Sequence, residues 1–378
     1  MRTSGKLWIG KSAGEVIQGE NSFDIIRYFL SFAVLVGHFR VITGIPYYFP
    51  MSSVDAVHGF FILSGFLVFY SYMRNPDICH YTERRTRRIL PPYVFIVTLC
   101  WMGGVLVSTL PVGEYLFSAQ LWKYIVANYS FLNFIEPALP GCFQGEAVNG
   151  SLWTMKVEIL LYITVPIVYY LMKRFRPFPV FIVIFIFSTL YNELFYYLNE
   201  KTGNEIFGIL KRQVGGQLLY FYSGTLVLLC FDYFRRYIKF LFPVAVLVCY
   251  FRYDVPLLIY VEPLAFAVVL IGCAYYIKWF VFMRKFGNVA YGIYLFHFRL
   301  SSSLFGWVLM KKVIFFVLLF ALWVRCFFLF YRGFCWKNRF FPIEYFLLNS
   351  FVFLRACLSF ARVQNSSSCR SRSWKVIR

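Results

Sequence analysis

Two sets of residues in this 378-residue chain have the types and spacing of a reaction centre. The first is Arg27 and His38, with Asp24, in the apolar run 24–42. Eleven residues at about 100° each bring Arg27 and His38 onto nearly one helical face, about 16 Å apart along the axis. A neutral imidazole is a competent base near pH 7, the more so when a carboxylate holds its other nitrogen. The candidate carboxylates are Glu158 and Asp55. Glu158 follows Asn149, Ser151 and Trp153, and Asp55 precedes His58 and the stretch Phe60-Phe61-Ile62-Leu63-Ser64-Gly65. The second set is Arg84, Arg85, Arg87 and Arg88, packed just before Pro91-Pro92-Tyr93. Arginines one turn apart suit bidentate contacts to phosphates. Each residue also has a plainer reading. Arg27 can snorkel, His38 and His58 can be interfacial rings, and Asp55 can be a loop carboxylate. Glu158 can serve a helix dipole, and the arginines can be a topology signal alone.

These residues sit in an unusually apolar chain. Hydrophobic residues make up 60% and charged residues 15%, too few charges for a water-facing surface. A soluble enzyme, a disordered chain and a disulfide scaffold are all excluded on composition. The ten cysteines form no C-x-x-C pair and no metal-ligand spacing. The net charge of +21 would suggest nucleic acid on a soluble chain, but here the basic residues cluster in short loops between apolar runs. The expected fold is therefore an all-α, polytopic membrane protein without nucleic-acid partners.

Ten spans are expected, at 24–42, 54–73, 91–110, 157–172, 178–198, 214–231, 237–251, 255–277, 287–310 and 313–331, since each needs roughly 20 residues. The segment 113–135, aromatic and broken by Gly113, is expected along the interface. With the N-terminus inside, 26 Lys and Arg fall in inside segments and 9 in outside segments, so both termini are expected in the cytoplasm. His38, Asp55, His58 and Glu158 then converge on the outer side, and the arginine cluster lies inside. Residues 1–23 are expected to be a cytoplasmic segment with no cleavable signal, 24–331 the membrane domain, and 332–378 a basic tail. That tail reads either as disordered or surface-bound chain, or as the product of a frameshift near Trp323–Phe330.

Five stretches, in this order, resemble the integral-membrane acyltransferases of acyltransferase family 3. FDIIRYFLSFAVLVGH resembles the family's opening Arg-x10-His helix, with Arg27 and His38 in place. HGFFILSGFLVFYSY resembles its FFxxSG helix through Phe60, Phe61, Ser64 and Gly65. YTERRTRRILPPY resembles its Arg-x-x-Arg segment, matched by either Arg84/Arg87 or Arg85/Arg88. NGSLWTMKVEILLY supplies Trp153 and Glu158, and YGIYLFHF ends at His297. The chain departs from the family at His58, where Asp or a small residue is common, and at Arg299, where Pro is common.

The resemblance implies transfer of an acyl group, acetyl by default, from acyl-CoA to a hydroxyl of a surface or lipid-linked saccharide. It implies a bacterial plasma-membrane location, a catalytic group of His38, Glu158, Asp55 and Arg27, and CoA phosphates held by the arginine cluster. Acetyl-CoA or another acyl-CoA is a co-substrate; no permanently bound cofactor and no metal are expected. The oligomeric state is left open. The competing expectations are a transporter or flippase of a lipid-linked saccharide, and an inactive product of a disrupted gene.

Overall fold

A computed structural model describes residues 22–43, 49–145 and 147–276, together with Gly292 and Tyr294. The expected spans 287–310 and 313–331, the candidate His297 and the tail 332–378 lie outside the described residues, apart from Gly292 and Tyr294. Among the described residues the secondary structure is entirely helical. The principal helices are α1 (Phe23–Thr43), α2 (Ser53–Arg74), α3 (Ile78–Val107), α4 (Val112–Phe117), α5 (Ala119–Tyr129), α6 (Trp153–Phe175), α7 (Pro177–Thr202), α8 (Glu205–Lys211), α9 (Val214–Leu229), α10 (Phe231–Phe251) and α11 (Leu258–Tyr276). Five of them, α2, α3, α6, α7 and α11, are long and apolar enough to cross a membrane. The pair formed by α8–α9 and α10, bent by 104°, adds a sixth if it counts as one span.

Local chemistry sets the helix ends. Ser52 caps α2 by accepting from Asp55 N at 3.0 Å, and Asp77 caps α3 by accepting from Cys79 N at 2.9 Å. Pro177 opens α7 at a position where its missing N–H costs nothing, and Gly203 closes it with φ of 64°. Before α6, Asn149 Oδ1 accepts from Ser151 N at 3.1 Å and from Ser151 Oγ at 2.6 Å, a local turn that starts the helix.

The centre of the bundle is the crossing of α2 with α9. Lipid is as apolar as Leu, so helices in a membrane associate through close packing rather than through exclusion of water. Gly65 and Gly224 permit that approach. A Cβ on Gly65 would stand 1.8 Å from the Phe221 carbonyl oxygen, and one on Gly224 would stand 2.0 Å from that of Ile62. Thr225 Oγ1 donates to the Gly65 carbonyl at 3.1 Å across the same contact. Buried Phe66, Phe69, Phe221 and Tyr222 fill the space around it.

Two sequence expectations are corrected. The helix expected to start at residue 91 starts at Ile78, so the arginine cluster stands on its first turns rather than in a loop. At 30 residues α3 is about 45 Å long, against roughly 30 Å of hydrocarbon, and has room for both a basic head and a spanning body. The segment expected along the interface instead folds back beside α3. Ser108 Oγ donates to the Pro140 carbonyl at 2.9 Å, Tyr115 OH to the Trp101 carbonyl at 2.8 Å, and Tyr93 OH to the Asn128 carbonyl at 2.8 Å. Phe131 stacks on Tyr93 at 4.3 Å. Ser108 and Tyr93 are fifteen residues apart, so the segment runs about 22 Å down α3. α3 supplies the protein wall against which this segment folds.

Candidate active site

The bundle has two chemically distinct ends. The basic end collects the start of α1, the end of α2 and the start of α3. The opposite end collects His38, the start of α2 and the start of α6. The close approach of Gly37 to Ser53, 2.6 Å from an added Cβ to Ser53 Cβ, ties the α1 terminus to the α2 start there.

At the basic end the four arginines divide into two pairs. Tyr81, Arg85, Arg88 and Pro92 share the inward face of α3, since residues three and four apart line one side of a helix. The Arg85 guanidinium lies over the rings of Tyr81 and Tyr162, 5.8 Å from each centroid. Its Nε is enclosed and has no hydrogen-bond partner among the described residues. Arg88 stands close enough to Arg27 and Tyr162 to act on their charges. Arg84 and Arg87 turn the other way: Arg84 Nε meets His80 Nε2 at 2.8 Å, and Arg87 pairs with Glu83. Arg85 is therefore the one of the four that is partly buried, and Arg88, though exposed, lies on the same side of the helix.

From there a polar line runs along α6. Tyr162 OH donates to Glu158, one turn away, and Tyr81 OH donates to the Tyr162 carbonyl at 2.9 Å. Glu158 acts electrostatically on Tyr294, and Tyr294 OH shares a hydrogen bond of 2.6 Å with Thr154 Oγ1. Thr154, Glu158 and Tyr162 follow one another at intervals of four and so form a single stripe. Phe60 packs edge-on to Tyr294 at 5.5 Å between centroids, which brings the FFxxSG helix to this line. Phe61 is buried, Ser64 is half-buried, and Trp153 heads α6 against the core.

A second stripe lies on α1. Arg27, Ser31, Val34 and His38 follow at intervals of four, three and four, one face of the helix. Ser31 and Val34 are fully buried, and Arg27 Nη1 donates to Asp24 Oδ1 at 2.7 Å. The expected sharing of a face by Arg27 and His38 thus rests on a helix that runs unbroken from Phe23 to Thr43.

Asp55 is engaged elsewhere. Arg252, just past α10, donates through Nη2 to Asp55 Oδ2 at 2.6 Å and through Nη1 to Glu262 Oε1 at 2.9 Å. The side chains of Arg252, Asp55 and Glu262 are 12%, 15% and 3% exposed. Burial works against the Arg252 charge, but the bond and field of Asp55, with Glu262, raise its pKa above the ordinary guanidinium value. Tyr220 OH donates to Glu262 Oε2 at 3.1 Å, and the Tyr220 ring stacks on His58 at 3.7 Å and 10°.

Reading the sequence alone missed Ser31, Tyr162, Tyr220, Arg252, Glu262 and Tyr294. Glu262 carried a usable signal, an acid inside an apolar run. So did Tyr162, four residues after Glu158. Arg252 carried none: it reads as one more loop cation, and its partner Asp55 lies 197 residues away.

The family model for the acyltransferase domain of acyltransferase family 3 matches residues 20–332. An O-acetyl transferase of Shigella phage Sf6 is 28% identical over 177 residues, 44% of this chain and 51% of that protein. Nodulation protein 10 of Rhizobium leguminosarum bv. viciae is 28% identical over 170 residues, 41% of this chain and 46% of that protein. The chain spans about half the length of these curated relatives. No solved structure matches it. With the family model covering most of its length, this chain belongs to acyltransferase family 3.

Proposed function

We propose that the chain is a membrane O-acyltransferase. It takes an acyl group, acetyl by family default, from acyl-CoA at the basic face. It delivers that group to a hydroxyl of a surface or lipid-linked saccharide at the His38 face. The observation that carries this reading is the polar line from Arg85 and Arg88 through Tyr162, Glu158 and Tyr294 to Thr154. A CoA-like donor is anionic at one end and reactive at the other. A line of this kind suits it, with guanidinium groups for phosphates at one end and hydroxyls and a carboxylate beyond.

In this reading Arg85 and Arg88 hold the donor phosphates, and the α1 and α6 stripes flank the thioester arm. His38 accepts the proton of the saccharide hydroxyl as its oxygen attacks the thioester carbonyl. The carbon–sulfur bond breaks, and the departing thiolate takes the proton from the imidazolium. Asp55 is committed to Arg252, and in this reading the orienting role falls to Glu158, which also accepts from Tyr162. The covalent variant has His38 carry the acyl group as an acyl-imidazole, with the thiol released before the saccharide attacks. Ten spans with both termini in the cytoplasm of a bacterial cell complete the proposal, supported by the distribution of positive charge.

The test is transfer by the purified chain in micelles with acetyl-CoA. Loss of a positioned base costs about 10²–10⁴-fold in rate. His38→Ala is expected to bind CoA as the parent does and to lose transfer by that factor. Transfer at the parent rate would remove His38 from the mechanism.

A further inference from the structure

The head of α10 carries a surface with a chemistry of its own. Three cations, Arg235, Arg236 and Lys239, and three aromatic residues, Tyr233, Tyr237 and Phe240, are exposed there. Phe231, Phe234 and Ile238 form the buried face of the same turns. None of the three cations is joined to a carboxylate among the described residues. The Arg236 guanidinium lies over the Tyr237 ring, 5.5 Å from its centroid. Asp232, the acid of these turns, stands in the first turn, where the helix dipole favours negative charge.

Contacts at both ends of α10 fix where this surface lies. Phe231 packs on Tyr275 at 5.1 Å and on Phe66 at 6.1 Å, and both of those rings meet Phe23. That cluster ties the head of α10 to the start of α1, at the basic end. Arg252, just past the other end, bonds Asp55 at the start of α2. α10 therefore runs from the basic end to the His38 end. Its uncharged body, Phe240 to Phe251, is about 18 Å long against roughly 30 Å of hydrocarbon. A body this short draws the cations down into the leaflet, and long basic arms reach back to the headgroups. Tyrosines suit the same depth.

We propose that the head of α10 binds an anionic phospholipid of the leaflet at the basic end. Arg235, Arg236 and Lys239 hold the headgroup phosphate, and Tyr233, Tyr237 and Phe240 lie along the glycerol and the upper acyl chains. The charge of the lipid complements cations that no carboxylate of the described residues neutralises. The surface shares no residue with the polar line assigned to transfer, and its helix is not the one that carries Arg85 and Arg88.

The test is native mass spectrometry of the purified chain, titrated in micelles with phosphatidylglycerol or phosphatidylcholine of the same acyl chains. Each basic side chain close to an anionic surface is worth about fivefold in binding. The parent is expected to retain phosphatidylglycerol in preference to phosphatidylcholine. Arg235→Gln with Arg236→Gln is expected to weaken phosphatidylglycerol binding about thirtyfold and to leave phosphatidylcholine binding and CoA affinity unchanged. Arg235→Lys with Arg236→Lys, which keeps the charge, is expected to retain most of the binding. Lys173→Gln with Arg174→Gln removes as much charge from the exposed end of α6 and is expected to cost less than about threefold. A parent without preference for phosphatidylglycerol overturns the site. Equal losses in the two glutamine pairs show general positive charge and also overturn it. Displacement by inorganic phosphate as effective as by phosphatidylglycerol marks a free-anion site, and a parallel loss of CoA affinity marks a nucleotide site; either result overturns the lipid assignment.

Discussion

Neighbouring arginines on α3 are separated by one rotation of the helix, and that rotation decides which of them meet a ligand. Arg85 and Arg88 face Tyr162 and the region of Arg27, whereas Arg84 and Arg87 are taken up by His80 and Glu83. Charge-assisted hydrogen bonds contribute about 1.5–3 kcal/mol each. The double change Arg85→Ala with Arg88→Ala is therefore expected to weaken CoA binding by about a hundredfold or more. The same change at Arg84 and Arg87 should cost a few-fold at most, because exposed ion pairs contribute about 0–1 kcal/mol. Calorimetric titration with CoA separates the two, and equal losses would show that general positive charge, not the inward face, holds the donor. This distinction was open in the sequence. The Arg-x-x-Arg spacing fits both pairs, and only the packing of α3 against α6 separates them.

Close approach of backbones controls the elements. At the α2–α9 crossing no side-chain atom fits beside Gly65, while Gly103 on α3 has open space around it. Gly65→Ala is expected to destabilise the protein by at least about 2 kcal/mol, because a Cβ there must push a backbone carbonyl rather than a flexible side chain. Gly103→Ala is expected to be neutral or to stabilise by about 0.5–1 kcal/mol through helix propensity. Thermal unfolding in micelles reads both, and a Gly65→Ala protein as stable as the parent would disprove the crossing. The glycine of the FFxxSG stretch was legible as a motif residue, but its physical reason lies in α9, more than 150 residues later. Helix placement was legible for spans such as α7, between Arg176 and Gly203, whereas α10, expected from residue 237, starts at Phe231. It failed for α3, where a charged head and an apolar body form one continuous helix through Pro91 and Pro92.

At the scale of the whole molecule, the proposed orientation follows the concentration of positive charge at one end of the bundle. The end that carries Cys79, an exposed thiol at the head of α3, is expected in the cytoplasm. Thr202, exposed at the far end of α7, is expected on the other side. In intact cells a membrane-impermeant thiol reagent should then label Thr202→Cys and leave Cys79 unlabelled until the membrane is opened. This requires Cys230, the other thiol exposed among the described residues, and Cys326, Cys335, Cys357 and Cys369 to be replaced by serine beforehand. Labelling of both positions in intact cells would overturn the proposed orientation.

Hydrophobic run lengths, charge bias and residue spacing alone determined that this is a helical membrane protein, and that Arg27 and His38 share a face. Both properties are local: a span needs only its own residues, and a helical face only the period of 3.6. The tertiary structure decided which groups meet. It paired Asp55 with Arg252, turned Arg85 inward, set Glu158 beside Tyr162, and folded the segment around Asn128 down along α3. Each of these depends on which helix lies against which. Lipid and helix surfaces are equally apolar, so hydropathy records that a helix is buried in the membrane and carries no record of its neighbours.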